Sequence, residues 1–328
     1  MIQPIKMFFS IIIPVYKNWE SLKRCLAAIN NSIFRNFEII IVDDASPAGD
    51  TIFLENTGQH LIRHKTNLGP SAARNTGAKE ARGEKLIFLD SDVEIFPNTL
   101  TKIEKFFHCH PDYAGVSGHF TPQCEIKGIF SQYKNLYMHL SYLNEPLSVP
   151  WAFTSLFAID KKIFDSSDGF DNQIRTIEDT LFGVKLTQTG HKLGFDKEIK
   201  VKHLHYYNFQ SFIKTEFERS RNLFIHKLTN LFYRKKTEDK NIILNFTVSA
   251  LIWPIIIGSL FFITIIPWLC FLLWLLFGLI NFNFFRYLAR RRNKMFALKS
   301  IPVFLLDISI CDAGLAAGLW NFLIKKRV

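Results

Sequence analysis

From Asn241 to Phe285 the chain runs for forty-five consecutive positions without an Asp, Glu, Lys or Arg. As one helix, at about 1.5 Å per residue, the run would be roughly 67 Å long, over twice the roughly 30 Å hydrocarbon thickness of a bilayer. It therefore reads as two membrane passes, 241–285, joined by a tight turn. The turn is expected near Thr264 to Pro267, because proline ends a helix readily. Pro254 and Gly258 fall inside the first pass, where a kink is tolerated.

The flanks of this run are basic on both sides. Arg234, Lys235, Lys236 and Lys240 precede it; Arg286, Arg290, Arg291, Arg292 and Lys294 follow it. A hairpin returns both flanks to one face, and the positive-inside rule makes that face cytoplasmic. Of the net charge of +11, the nine Lys and Arg beyond Asn241, set against Asp307 and Asp312, supply +7, leaving +4 for the first 240 residues. The basic balance thus belongs to membrane flanks and membrane lipid, and nucleic acid is not an expected partner. A third apolar segment, 301–324, contains Asp307 and Asp312. Two acids make it a poor span, so an interfacial or re-entrant helix is expected, with the basic C-terminus kept cytoplasmic. Met7 to Val15 is too short for a signal peptide, is broken by Pro14 and lacks a cleavage site, so residues 1–240 are expected to stay in the cytoplasm. Five scattered cysteines with no C-x-x-C fit a reducing compartment and argue against a disulfide framework.

The remaining chain alternates strand and helix. Phe8 to Val15 is a continuous apolar, β-branched run suited to a buried parallel strand. Glu20 to Asn30 has helical spacing at Leu22, Cys25, Leu26 and Ile29. Phe37 to Val42 is a second strand, Leu61 to His64 a third, and Lys85 to Leu89 a fourth. Ser71 to Ala81 and Thr99 to His108 are helices. This rhythm predicts an α/β domain built on a mostly parallel, Rossmann-like sheet covered on both faces. In such sheets ligands bind beyond the carboxyl ends of the strands, and acids gather there: Asp43-Asp44 after one strand, Asp90-Ser91-Asp92 after another. Acids massed at a sheet edge repel unless something positive joins them, and a divalent cation carrying a phosphate ligand is the natural choice. Upstream, Asn67-Leu68-Gly69-Pro70-Ser71-Ala72-Ala73-Arg74 is a Gly-Pro turn opening a helix with Arg74 one turn in, an anion-holding corner.

These pieces together resemble a known family. SIIIPVYKNWESLKRCL, FEIIIVDDAS and NLGPSAARNTGAKEARGEKLIFLDSD, in this order and spacing, are similar to the family 2 nucleotide-sugar glycosyltransferases of the GT-A fold, over roughly residues 8–235. The resemblance implies inverting transfer from a nucleotide-sugar, expected to carry uridine, with Mn²⁺ or Mg²⁺ as cofactor. It implies that Pro14, Val15 and Tyr16 border the nucleotide base and that Asp44 hydrogen-bonds it. Arg74, Asp90 and Ser91 are expected near the nucleotide-sugar, and Asp90 and Asp92 at the metal, with Asp92 the direct ligand. In GFDNQIRTIEDTLFG it makes Asp179 the general base beside Glu178. A positioned carboxylate is needed because an acceptor hydroxyl is a poor nucleophile at neutral pH. His203 is a further metal ligand by the same resemblance.

Other readings of the same residues stay open. Glu178-Asp179 also suits the dipole of a helix N-terminus, and His203 and His205 are also a strand pair facing one side. Arg219 and Arg221 either reach a diphosphate or snorkel to headgroups. In Ser148 to Ser155, expected on the acceptor side, Trp151 is either a sugar platform or a buried aromatic. His108, Cys109, His110, His119 and Cys124 fit no common zinc spacing.

The expected organisation is a cytoplasmic GT-A domain over 1–208, an amphipathic helix and basic linker over 209–240, the hairpin over 241–285, and a basic loop with the third apolar segment over 286–328. The expected activity is membrane-anchored, metal-dependent transfer to a hydroxyl of a lipid-linked saccharide, in cell-envelope polysaccharide or glycolipid synthesis. A polyprenyl-phosphate acceptor, a processive synthase with more spans, and a non-catalytic nucleotide-sugar-binding protein are the alternatives. The oligomeric state is not fixed by the sequence.

Overall fold

A computed structural model of the 328-residue chain describes residues 8–47, 59–232, 244–262 and 264–325. The expected flanking cations Arg234, Lys235, Lys236 and Lys240, the start of the apolar run at 241–243, and Lys326 and Arg327 lie outside the described residues. The chain divides into two compact units, Met1–Glu125 with Tyr142–His205, and Ile126–Ser141 with Tyr206–Val328.

The first unit is a sheet flanked by helices. Its strands are β1 (Phe9–Val15), β2 (Phe37–Asp43), β3 (His60–Arg63), β4 (Lys85–Leu89), β5 (Val93–Ile95), β6 (Tyr113–Phe120), β7 (Ser148–Val149), β8 (Leu156–Asp160) and β9 (Lys192–His203). Its helices are α1 (Trp19–Asn30), α2 (Pro70–Glu80), α3 (Thr99–Cys109), α5 (Lys161–Ser166) and α6 (Glu178–Gln188); α4 (Ile129–Tyr142) falls almost wholly in the second unit. The strand order is β3-β2-β1-β4-β8-β6-β9-β5, with β7 on β9. β3, β2, β1 and β4 are mutually parallel, as the apolar runs of β1, β2 and β4 predict. Beyond β4 the sheet is mixed, because β8 runs antiparallel to both β4 and β6. Ile11, Ile12 and Ile13 of β1 are fully buried, as are Ile40, Ile41 and Val42 of β2. Each such side chain contributes about 1.5–3 kcal/mol when withdrawn from water. Trp151 is 1% exposed and packs between Tyr142 and Phe195, so it is a core aromatic and not a sugar platform.

The second unit is helical: α4, α7 (Phe209–Phe232), α8 (Leu244–Ser259), α9 (Pro267–Arg291) and α10 (Lys294–Lys325). α9 opens on Pro267, the proline expected to begin the second pass, and Pro254 lies inside α8. α9 runs on through Arg286, Arg290 and Arg291, which the sequence suggested as loop, because nothing in that stretch breaks a helix. Pro267–Arg291 and Lys294–Ile324 are each long and apolar enough to cross a membrane, and Val248–Phe262 is a shorter apolar helix. Phe212, Tyr133, Phe284 and Phe304 anchor an aromatic core among these helices. Arg219 hydrogen-bonds Glu216 from Nε at 3.2 Å.

Candidate active site

The site grows from the ends of β1, β2 and β4. The β1–β2 register pairs Val15 with Asp43, and Asp44 donates its N–H to Val15 O at 2.9 Å, so the two loops leave the sheet together. Pro14 and Val15 close β1, and Tyr16 beyond them is 44% exposed. Asp44 is buried and organises the approach to α2. Its Oδ1 accepts from Leu68 N at 2.9 Å and pairs with His64 Nδ1 at 2.8 Å; its Oδ2 accepts from Gly69 N at 2.8 Å. Gly69 has φ +95, a left-handed backbone that side chains resist, and it hands the chain to Pro70 at the first helical turn.

Arg74, one turn into α2, is 4% exposed. Its Nη2 donates to Asp90 Oδ1 at 2.7 Å and its Nη1 to Glu178 Oε1 at 2.8 Å. A single guanidinium thus ties the D-x-D turn after β4 to the first turn of α6. Asp90 uses its other oxygen to accept from Ser155 Oγ at 2.8 Å. Burial raises the pKa of Asp90, Arg74 draws it down and Asp92 adds to the rise; the net direction is up. Burial likewise pushes Glu178 up to about 7, against the pull of Arg74 and helped by the neighbouring Asp179.

Asp179 is held by the loop before β8. Its Oδ2 accepts from Thr154 N at 3.1 Å and Thr154 Oγ1 at 3.3 Å, and its Oδ1 from Thr180 N at 2.7 Å. This closeness requires Gly183, where a Cβ would strike the backbone of Trp151 at 2.5 Å and so push α6 away. Ile177, just before the acid pair, has φ +64. Lys17 and Ala45, in the loops after β1 and β2, are also left-handed at +58 and +61. Backbone strain of this kind costs on the order of 1 kcal/mol per residue and gathers where a site dictates geometry.

The remaining group comes from sheet pairing. β5 lies antiparallel to β9 with Val93 opposite His203, and Leu204 N donates to Asp92 O at 2.7 Å. The two-residue period of an extended chain then turns His203 and His205 to the same side as Asp92. Asp92, His203 and His205 offer ligand atoms that all lie within 4.8 Å of one another. His205 Nδ1 is 2.8 Å from Asp92 Oδ2 and His203 Nε2 is 3.9 Å from it; His203 stacks on Phe120 with ring centroids 4.2 Å apart. Burial alone would raise the Asp92 carboxyl, but the two histidines bring it below its ordinary value.

The structure therefore gathers Arg74, Asp90 and Glu178 in one linked set and Asp92 with His203 in another. Ser91 is buried between the two acids of its turn. Asp90, expected at the metal, lies with Arg74 and Ser155 instead of in the Asp92 group. Sequence reasoning gave three participants no role of their own, naming His205 only as the strand partner of His203 and Thr154 and Ser155 only within the stretch expected on the acceptor side. His205 was visible as the partner of His203 at a spacing of two. Thr154 and Ser155 carry no sequence signal beyond sitting just ahead of β8. Among the described residues, the His108–Cys124 stretch forms no metal-ligating group.

Residues 10–168 match the family model described as glycosyl transferase family 2. An uncharacterized glycosyltransferase of Haemophilus influenzae is 26% identical over 194 residues, covering 55% of this chain and 62% of that protein. The poly(ribitol-phosphate) β-N-acetylglucosaminyltransferase TarS of Staphylococcus aureus is 27% identical over 206 residues, covering 57% of this chain and 34% of TarS. The chain thus spans under two thirds of these relatives' lengths. Among solved structures, the mannosyltransferase PcManGT from Pyrobaculum calidifontis, in complex with GDP-Man and Mn²⁺, superposes with a TM-score of 0.58 at 15% identity, covering 95% of this chain and 87% of that one. That likeness concerns the fold, which is GT-A.

Proposed function

We propose that this chain, whose residues 10–168 form a family 2 glycosyltransferase domain, is a membrane-anchored, metal-dependent inverting transferase. It moves a sugar from a nucleotide-sugar, uridine-linked by family resemblance, to a hydroxyl of a lipid-linked saccharide. The observation that carries the reading is the convergence of Asp92, His203 and His205 in the unit that also links Arg74 to Asp90 and Glu178. One carboxylate and two imidazoles suit Mn²⁺ better than Mg²⁺, which prefers oxygen ligands alone. These three residues would hold the cation, and it would neutralise charge developing on the leaving diphosphate. That PcManGT binds GDP-Man with Mn²⁺ supports this assignment.

The other roles belong to the chain itself. Among the described residues Asp44 Oδ2 has one protein donor, Gly69 N, which leaves it a lone pair for a base N–H. Tyr16, which follows the Val15 whose carbonyl accepts from Asp44 N, is exposed for stacking on that base. Arg74 holds the charges of Asp90 and Glu178, so Asp179 is the acid left to accept the acceptor's proton. Thr154 aims it through two hydrogen bonds. The apolar helices keep the protein at a membrane, with the catalytic unit on the side of the basic flanks.

The test is nucleotide release by detergent-purified protein with Mn²⁺, across UDP-, GDP- and dTDP-sugars and with membrane lipid extract. Release from one donor, stimulated by extract, is expected. In the same assay Asp179→Asn should lower transfer by about 10²–10⁴-fold while donor affinity stays near wild type. Full activity in Asp179→Asn would replace the hydroxyl acceptor with an anionic polyprenyl phosphate, which needs no base.

A further inference from the structure

The connection from β3 to α2 closes around one carboxylate. His64, at its start, brings Nδ1 to 2.8 Å from Asp44 Oδ1. Leu68 and Gly69, at its end, donate their N–H groups to Oδ1 and Oδ2 at 2.9 and 2.8 Å. The sheet fixes where His64 stands. Arg63 pairs with Asp43 in the β2–β3 register, and one step on His64 N donates to Asp43 O at 2.9 Å. The His64 side chain is 9% exposed and that of Asp44 5%. On the far side of the ring, Nε2 lies 3.0 Å from Thr76 Oγ1 of α2, the helix that carries Arg74.

The proton order follows from the groups. An ionised carboxylate only accepts, so Nδ1 carries the ring hydrogen. In the neutral imidazole Nε2 is then bare and accepts the Thr76 O–H. Among the described residues, every hydrogen-bond neighbour of the Asp44 carboxylate is thus a donor. Turning the carboxylate about its last bond would break all three bonds. The lone pair left on Oδ2 has a set direction and one demand, a donor. That demand sorts nucleotide bases. Uracil, thymine and guanine carry a hydrogen on the ring nitrogen of their pairing edge. Cytosine and adenine present a bare nitrogen there, which would face a buried acceptor unpaired. Their amino hydrogens lie one position round the edge; a carboxylate free to turn follows them, and a fixed one does not.

We infer, resting on the nucleotide-sugar reading above, that His64 is a positioning residue for base recognition. It holds Asp44 through Nδ1 and is braced by Thr76, so the site takes bases with a ring N–H and refuses cytosine and adenine. Asp44 makes the contact; His64 sets which bases can make it.

The test is calorimetric binding of UDP, dTDP, GDP, CDP and ADP to the full chain in detergent with Mn²⁺. In the wild-type protein one of the first three should bind about tenfold or more tighter than CDP and ADP. His64→Ala should weaken that nucleotide about tenfold and leave CDP and ADP within about twofold, so that the preference collapses. His64→Asn should restore it, because its amide nitrogen hangs from the same Cγ as Nδ1 and donates likewise. Thr76→Val should lose a part of it, about threefold. Equal weakening of all five by His64→Ala would reduce His64 to a fold contact and overturn the inference. So would His64→Asn behaving as His64→Ala does, or wild-type protein preferring CDP or ADP. Wild-type protein that binds none of the five sinks the nucleotide-sugar reading itself, whereas intact discrimination in His64→Ala sinks only the role of His64.

Discussion

The two units each bury a network of charges, and they do so differently. In the catalytic unit Asp90, Asp92 and His205 keep 26%, 15% and 40% of their side chains exposed. In the helical unit Glu216 and Lys134 keep 0% and 5%, and Asp307 is fully buried. The first network sets Asp90, Asp92, Glu178 and Asp179 against Arg74 and two imidazoles, an excess of negative charge at the ends of strands. The second is balanced and closed between helix faces. Residual exposure with uncompensated charge marks a place for a ligand; closure with neutrality marks a joint. Substitutions should therefore separate the two, with the joint failing in stability and the site in rate.

The sharpest separation is expected from Glu216→Leu, which leaves Lys134 and Arg219 without the acid that both pair with. It should lower unfolding stability by about 3–5 kcal/mol, read by thermal melts in detergent. A melt matching wild type would erase the distinction. Next comes Asp92→Ala, which should cut the transfer rate about a thousandfold, equivalent to ~4 kcal/mol of barrier, with the melting temperature nearly unchanged. A smaller effect follows from Glu178. Its acid form is favoured in the fold, up to about 7 against an ordinary value of 4.5. The folded state thus holds a proton that the unfolded chain releases between these values. Stability should fall as pH rises from about 4.5 to 7, and Glu178→Gln should flatten that slope. The smallest change is Ile177→Gly, which relieves a left-handed backbone and should stabilise by about 0.5 kcal/mol while lowering activity. A gain in both would mean that the strained corner does not position Asp179.

Much of this was legible before any coordinates. Strands β1, β2 and β4 announced themselves as unbroken apolar runs, and Pro267 marked the helix start, because these signals are local. The acid-rich turns were readable for the same reason. What stayed hidden depends on pairing across distance. Arg74 read as a phosphate ligand because sequence shows a cation near a helix start, not the two carboxylates that fold over it. His205 joins Asp92 only through the β5–β9 register. Asp307 read as an acid that spoils a span, since its partner Tyr133 lies far along the chain.

That last distance has a consequence in time. Tyr133 and Asp307 are 174 positions apart. At about 5–20 residues per second, a ribosome needs roughly ten to thirty-five seconds to make the second after the first. Within that interval α4, which the chain interposes between two stretches of the first unit, meets Phe212 and Glu216 of α7 first and Asp307 only at the end. Tyr133 waits for its acid in water or against a chaperone while the flanking strands already close their sheet. The sheet of the first unit can thus close before the helical unit is complete.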